Sequence, residues 1–154
     1  MDLSPSLTPT LLRQIEPSST HVEAELFVVP VSQLSEAFPS IQYWLSLAIR
    51  PDWTIDGVRE DLEQGKAQAW GMRRGNTILG FWITRIEVAY GKKYGLVWIT
   101  CGTCLHEGVP LYRETIEPWF KSLGCQWIEI IGRKGWKKIL DDYREDAVVL
   151  RKAL

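Results

Sequence analysis

The reactive side chains of this sequence gather in one short stretch. Cys101 and Cys104 form a C-x-x-C, His106 and Glu107 follow, and the other histidine is His21. A C-x-x-C runs dithiol chemistry when its first thiolate sits at a helix N-terminus, where the helix dipole stabilises it. Here 105–109 separates Cys104 from Pro110, which reads as the start of the next helix, so that setting is missing. Adding His106 and Cys125 gives a possible zinc set. Cys125, however, opens a strand whose start lies at the far end of a parallel pair from the 101–106 loop. No metal site is expected, and Cys101 and Cys125 read as small core residues. His106 then stands either as a general base beside a reacting carbon or as an exposed loop histidine.

Glu87 is the second acid–base candidate. It shares a strand face with Arg85, so it is either a base, direct or through water, or one half of an ion pair. Glu129 lies between Ile128 and Ile130, and a carboxylate there needs a partner or an exposed face, with Arg133 the expected contact. Arg133, Lys134, Lys137 and Lys138 surround Trp136. They read either as a grip on phosphates or an acidic partner, or as the solvated face of a helix whose Trp136 and Ile139 pack inward.

The elements that must position these residues follow from the pattern over 94–131. An apolar run, Leu96 to Ile99, reads as a strand, broken by Gly102 and Gly108. Pro110 suits a first helical position, and Tyr112, Ile116, Trp119, Phe120 and Leu123 mark one helix face up to Gly124. A second strand follows over 125–131. Two strands joined by a helix are expected to be parallel neighbours. A ligand of such a sheet binds at the carboxyl end of the first strand, here 100–110.

Upstream, 22–29 alternates as a strand. Ser32 is a candidate helix cap, and a helical face runs from Leu34 to Ala48, kinked or split at Pro39. Thr54 caps a second helix ended by Gly65. Alternating residues over 66–73, a Gly75-Asn76 turn and a long strand over 77–90 predict a hairpin, and Gly91 and Gly95 turn the chain again. A basic helical piece at 133–140 and a last strand at 147–152 complete the order. Residues 1–21, rich in Pro, Ser and Thr, read as a flexible N-terminal arm, and 22–154 as one domain.

Composition narrows the classes. The 154 residues are 45% hydrophobic and 24% charged, with a formal net charge of -1. That is a globular composition, without the basic field that nucleic acid or anionic lipid would select. No apolar run spans a bilayer, and three cysteines suit a reducing cytoplasm better than a disulfide frame. Eight tryptophans exceed what so small a core buries fully. Trp70 and Trp82 lie at similar distances from the Gly75-Asn76 turn. If Trp98 shares their face, the three form an aromatic band, either core or an apolar groove.

The element order, with TIDGVREDLEQG at 54–65, TILG at 77–80 and GCQWIEIIGRKGW at 124–136, resembles the GNAT superfamily, the GCN5-related N-acetyltransferases. Within it, the last phrase is similar to a divergent bacteriophage-type branch. The resemblance implies an α/β domain with a mixed, centrally splayed sheet flanked by helices. It implies acetyl-CoA or another acyl-CoA held at the splay, and transfer of the acyl group to an amine by direct attack. On this reading Ile99, Thr100, Cys101 and Gly102 meet the pantetheine through their backbones, Thr103 and Gly108 line the pyrophosphate end, and Glu87 and His106 are the catalytic candidates. It also implies action on bacterial host proteins or metabolites in the host cytoplasm. The glycine-rich pyrophosphate loop and the usual acid tyrosine of the superfamily are absent, and Glu107 and Pro110 stand in that loop instead. The alternative is therefore a non-catalytic interaction protein on a degenerate scaffold, binding host proteins.

Overall fold

The computed structural model describes residues 22–132 and 135–154. The expected arm at 1–21, and Arg133 and Lys134 of the basic cluster, lie outside the described residues. The sheet has five strands in chain order: β1 (Ala24–Val29), β2 (Gln68–Arg74), β3 (Thr77–Ala89), β4 (Lys92–Gly102) and β5 (Ile128–Ile130). The first four are antiparallel neighbours, and β5 pairs with β4 in parallel, as the helical crossover requires. Gly75 and Asn76 make the turn that sets Arg74 opposite Thr77.

Helices cover both faces. α1 (Leu34–Ser46) and α2 (Ile55–Glu63) lie on one, α3 (Leu105–Ser122) and the short α4 (Trp136–Ile139) on the other. The α1–α2 face buries Phe38, Ile41, Leu45, Val58 and Leu62 against Ala69, Phe81, Ile83 and Ile99. The α3 face buries Tyr112, Ile116 and Phe120 against Trp70, Trp82 and Val97. Thr54 caps α2 as expected, its hydroxyl accepting the Gly57 N–H at 3.0 Å.

Several expectations need correction. α1 is one continuous helix with Pro39 inside its first half, entered from a 3-10 turn at Val31–Gln33 that contains Ser32. α3 starts at Leu105 rather than Pro110. Cys104, at φ 58, turns the chain, and its carbonyl accepts the Glu107 and Gly108 N–H groups, which starts the helix early and leaves Pro110 within it. The predicted last strand at 147–152 does not form, and the segment is exposed.

Trp70 and Trp82 do oppose each other across the β2–β3 pair. They are core, with Trp82 stacked on Tyr112 at 4.7 Å and Trp70 edge-on to Trp119 at 5.2 Å. Trp98 is not in their band. Ile83 faces Ile99 and Thr84 faces Val97, so Trp98 is the extra residue of a β-bulge and lies on the α1–α2 face.

Past α4 the chain is clamped to α3. Leu140 is buried, Tyr112 donates to the Tyr143 hydroxyl at 2.7 Å, and Tyr143 donates to Glu117 at 2.5 Å. Arg113 grips Asp142 through both carboxylate oxygens, at 2.8 and 2.6 Å. That hydrogen bond holds the Asp142 carboxyl below its ordinary 3.8. A depressed native pKa contributes stability above 3.8 that is lost as pH falls through the lower native value.

Two predictions follow from this packing. A Cβ on Gly95 would collide with the buried Phe120 ring, so Gly95→Ala should cost about 1–3 kcal/mol in denaturant unfolding. Gly135→Ala, with open space around it, is the matched control and should stay within about 0.5 kcal/mol of the parent. In a melting series across acid pH, Arg113→Gln should weaken the loss of stability below roughly pH 4. An unchanged acid limb would mean that the pair contributes nothing there.

Candidate functional site

β4 and β5 stay together for only three pairs, Gly95–Ile128, Leu96–Glu129 and Val97–Ile130. The Gly95 N–H donates to the Trp127 carbonyl at 3.0 Å and the Ile131 N–H to that of Val97 at 3.2 Å. Beyond Val97 the strands part, and β4 runs on to Gly102 with no strand on that edge among the described residues.

The bulge decides which backbone groups face that edge. Thr103 N–H donates to the Leu79 carbonyl at 2.8 Å, which makes Gly80–Gly102 a pair without mutual hydrogen bonds. Gly102 and Thr100 therefore turn N–H and C=O away from β3, into the vacant edge. Ile99 and Cys101 turn theirs toward β3, and their side chains join the α1–α2 core. The four-residue pantetheine set expected from the sequence is thus split by strand alternation, and the bulge sets which two residues face the open edge. Gly80 and Gly102 approach so closely that a Cβ on either would strike the other strand's backbone.

The N-terminus of α3 stands at the end of this edge. The Leu105 and His106 amides precede the first bonded turn of the helix, the position that suits an anion. Gly108 is not part of that cradle. It is buried, its amide is bonded to Cys104, and a Cβ there would press on Met72 and Trp82. Glu107 does not leave a bare negative charge. Arg74, at the end of β2, pairs with it, and that hydrogen bond holds the Glu107 carboxyl low while raising Arg74. His106 is exposed on the same turn. Trp136, edge-on to Trp82 at 5.6 Å, walls the α3 side of the opening.

On the other face a groove of about 370 Å³ lies between the α1–α2 loop and β4, lined by Trp53, Thr54, Gly57, Glu60, Asp61 and Trp98 among others. Arg85 braces two of these lining residues, Asp61 and Trp98. It donates to Asp61 at 2.5 Å and to Glu87 at 2.8 Å, and its guanidinium lies 4.8 Å from the centre of the Trp98 ring. Glu87 is thus Arg-paired and half-buried. It opposes Tyr94, at the other end of β4 from Gly102. At ~3.3 Å per residue, Glu87 and His106 are more than ~20 Å apart along the strands, and they cannot act on one carbon.

The cysteines separate likewise. Burial pushes the Cys101 thiol up to about 11, while Cys104 caps α3 and Cys125 sits before β5, at the opposite end of the sheet. Glu129 accepts from the Trp127 indole at 2.9 Å. Asp61 and the bulge at Trp98 were not singled out by sequence reading. Asp61 lies in the 54–65 phrase, but its partner Arg85 is 24 residues away in sequence.

No family model matches this sequence, and no curated protein matches it. Solved structures do match in fold. An aminoglycoside acetyltransferase from an uncultured soil metagenomic sample, solved with sisomicin, aligns at TM-score 0.64 and 12% identity, over 85% of this chain and 96% of that one. A GCN5-related N-acetyltransferase from Ralstonia eutropha aligns at 0.61 and 15%, over 85% and 98%. Glucosamine-6-phosphate N-acetyltransferase from Arabidopsis thaliana aligns at 0.57 and 13%, over 84% and 97%. The chain has the GNAT fold: a mixed five-stranded sheet flanked by helices, opened between its two parallel strands. No helix among the described residues is long and apolar enough to cross a membrane.

Trp98 gives the site its test. Because the ring is only partly buried at a groove wall, Trp98→Ala should cost less than the ~3–5 kcal/mol of a core tryptophan, the loss expected for Trp82→Ala. Comparing the two variants by thermal unfolding decides it. Equal losses would make Trp98 a core residue and remove it as a groove wall.

Proposed function

We propose that the protein transfers an acyl group from an acyl-coenzyme A, with acetyl-CoA the simplest donor, to an amine by direct attack. The observation that carries this reading is the vacant β4 edge, where Thr100 and Gly102 offer unpaired backbone groups beside the first amides of α3. The pantetheine arm, with its two amides, pairs with that edge. Thr103, the Leu105 and His106 amides and the His106 side chain meet the pyrophosphate end, with Arg74 nearby. Ile99 and Cys101 support the edge from its β3 side.

The thioester then lies near the Trp98 bulge, and the amine enters through the groove on the other face. Its lone pair attacks the thioester carbon, the C–N bond forms, and the C–S bond breaks. The developing oxyanion is met by backbone N–H of the open edge. The ammonium proton passes through water to the Asp61 carboxylate of the groove and to Glu87, which shares Arg85 with it, and the leaving thiolate takes a proton from solvent. Acceptors are bacterial proteins or small metabolites, in keeping with the phage-type phrase at 124–136.

A second reading has its own observation. Glu107 and Pro110 occupy the first turns of α3, and Arg74 is engaged by Glu107 rather than free for phosphate. This favours a non-catalytic protein that binds host proteins on the same scaffold. Label from acetyl-CoA appearing on amines in a bacterial lysate supports the enzyme. Capture of the same proteins with and without coenzyme supports the binder.

Calorimetry with acetyl-CoA and longer acyl-CoAs is the direct test, and saturable binding is expected. Thr100→Pro deletes an open-edge donor without breaking the β3 ladder. It should keep the fold and weaken acyl-CoA about tenfold, the worth of ~1.4 kcal/mol. Glu87→Gln should lower kcat by roughly 10²-fold, whereas His106→Ala should raise the KM for acyl-CoA with kcat unchanged. No heat and no thermal shift at millimolar acyl-CoA would remove the donor from this proposal.

A further inference from the structure

The mouth of the sheet opening suits a small charge. In the first turn of α3 the Glu107 and Gly108 amides donate to the Cys104 carbonyl at 3.0 and 3.1 Å, so the Leu105 and His106 amides are the ones placed to meet an anion. Glu107 and Arg74 pair there, and together they carry no net charge. Coenzyme A would bring two linked phosphates to this place and a third on its ribose. The same pantetheine arm attached to a carrier protein brings a single phosphodiester. Repulsion from Glu107 grows with the charge of the ligand, so it falls hardest on the coenzyme. Trp82 fixes what borders the mouth. A Cβ on Gly108 would lie 3.5 Å from its ring, and Trp136 meets it edge-on at 5.6 Å. α4 therefore stands beside the first turns of α3, and its Lys137 and Lys138 are exposed. The acids that follow, Asp141 and Asp142, are both within ion-pair reach of Arg113.

We propose that the acyl donor is a thioester on the phosphopantetheine arm of an acidic carrier protein, with the arm on the β4 edge and the carrier docked against Lys137 and Lys138. This rests on the acyl-transfer reading and narrows its donor, with free acyl-CoA the weaker ligand of the same edge.

The carrier-bound arm keeps the contacts that the β4 edge offers. Its two amides pair with Thr100 and Gly102, and its one phosphate ends at the Leu105 and His106 amides. Beyond that phosphate comes the carrier's own side chain rather than a nucleotide, so no further phosphate has to pass Glu107 and Pro110. Recognition then moves to the protein surface. An acidic surface around the attachment point complements Lys137 and Lys138, which speeds encounter and weakens with salt. The bond changes are those of acyl transfer. The amine forms the C–N bond, the C–S bond breaks, and the ammonium proton leaves through water. The thiolate departs on the carrier's arm and takes a proton from solvent.

Calorimetry on the full chain tests this with four probes: acetyl-CoA, acetyl-phosphopantetheine, and a bacterial acyl carrier protein in its apo and acetyl-loaded forms. The loaded carrier should bind about tenfold more tightly than acetyl-CoA, and about tenfold more tightly than the apo carrier, which lacks the arm. Lys137→Glu with Lys138→Glu should weaken the loaded carrier about tenfold. It should leave acetyl-phosphopantetheine binding and the melting temperature unchanged, because both side chains are exposed. Glu107→Gln should tighten acetyl-CoA about tenfold and acetyl-phosphopantetheine far less. Three results would each overturn the proposal while leaving the acyl-transfer reading in place: acetyl-CoA bound as tightly as the loaded carrier, a loaded carrier indifferent to the lysine substitutions, or a Glu107→Gln variant that favours neither small ligand. If none of the acetyl thioesters binds, the acyl-transfer reading falls and the proposal with it.

Discussion

A single extra residue in β4 organises this molecule. Without the bulge at Trp98, the row set by Gly95 and Val97 would continue through Ile99 and Cys101, and their backbone groups would follow β5. With it, the row shifts to Thr100 and Gly102, and Ile99 and Cys101 turn to β3 and to the core. The bulge also brings Trp98 to the groove on the α1–α2 face. One irregularity thus presents unpaired backbone on one side of the sheet opening and an aromatic wall on the other. A β-sheet edge is ordinarily a liability; here it is short, and α3 and Trp136 screen it.

The rest of the fold holds that opening in place. Trp82 lies between Tyr112 and Trp136, so the crossover helix and the chain leaving β5 share one aromatic anchor. The Tyr112–Tyr143–Glu117 chain and the Arg113–Asp142 fork then fix the following segment along α3. Burial raises both tyrosines above their ordinary values, which keeps them neutral hydrogen-bonding groups throughout the physiological range. The clamp ends at Tyr143, and Val148, Val149 and Leu150 beyond it are exposed.

Charge at the mouth of the opening is balanced locally. Glu107 in the first turn of α3 suits the helix dipole, and Arg74 from the end of β2 neutralises it. The usual objection to an acid beside a phosphate is thereby weakened, at the expense of a cation that would otherwise be free. On the other face, Arg85 plays the reverse part, holding Asp61 and Glu87 under Trp98.

Periodicity alone determined much of this protein. The strand alternation, the Gly75-Asn76 hairpin, the Thr54 cap, the Tyr112–Phe120 helix face and the parallel pairing of β4 with β5 are local or topological consequences of residue spacing, and each is present in the fold. The shared phrases pointed to the GNAT superfamily, and the fold is of that kind. What tertiary structure decided was phase and partnership. The bulge at Trp98 leaves no mark in a run of strand formers, because a one-residue shift is set by pairing with Ile83 and Thr84 across the sheet. The start of α3 at Leu105 depends on Cys104 adopting φ 58, which no side-chain preference announces. Glu87 pairs with Arg85, one of the two readings its spacing left open, but Asp61, Arg74 and Tyr143 found partners distant in sequence. The 147–152 run has the composition of a strand and forms none, because a strand needs pairing with an edge as well as a pattern.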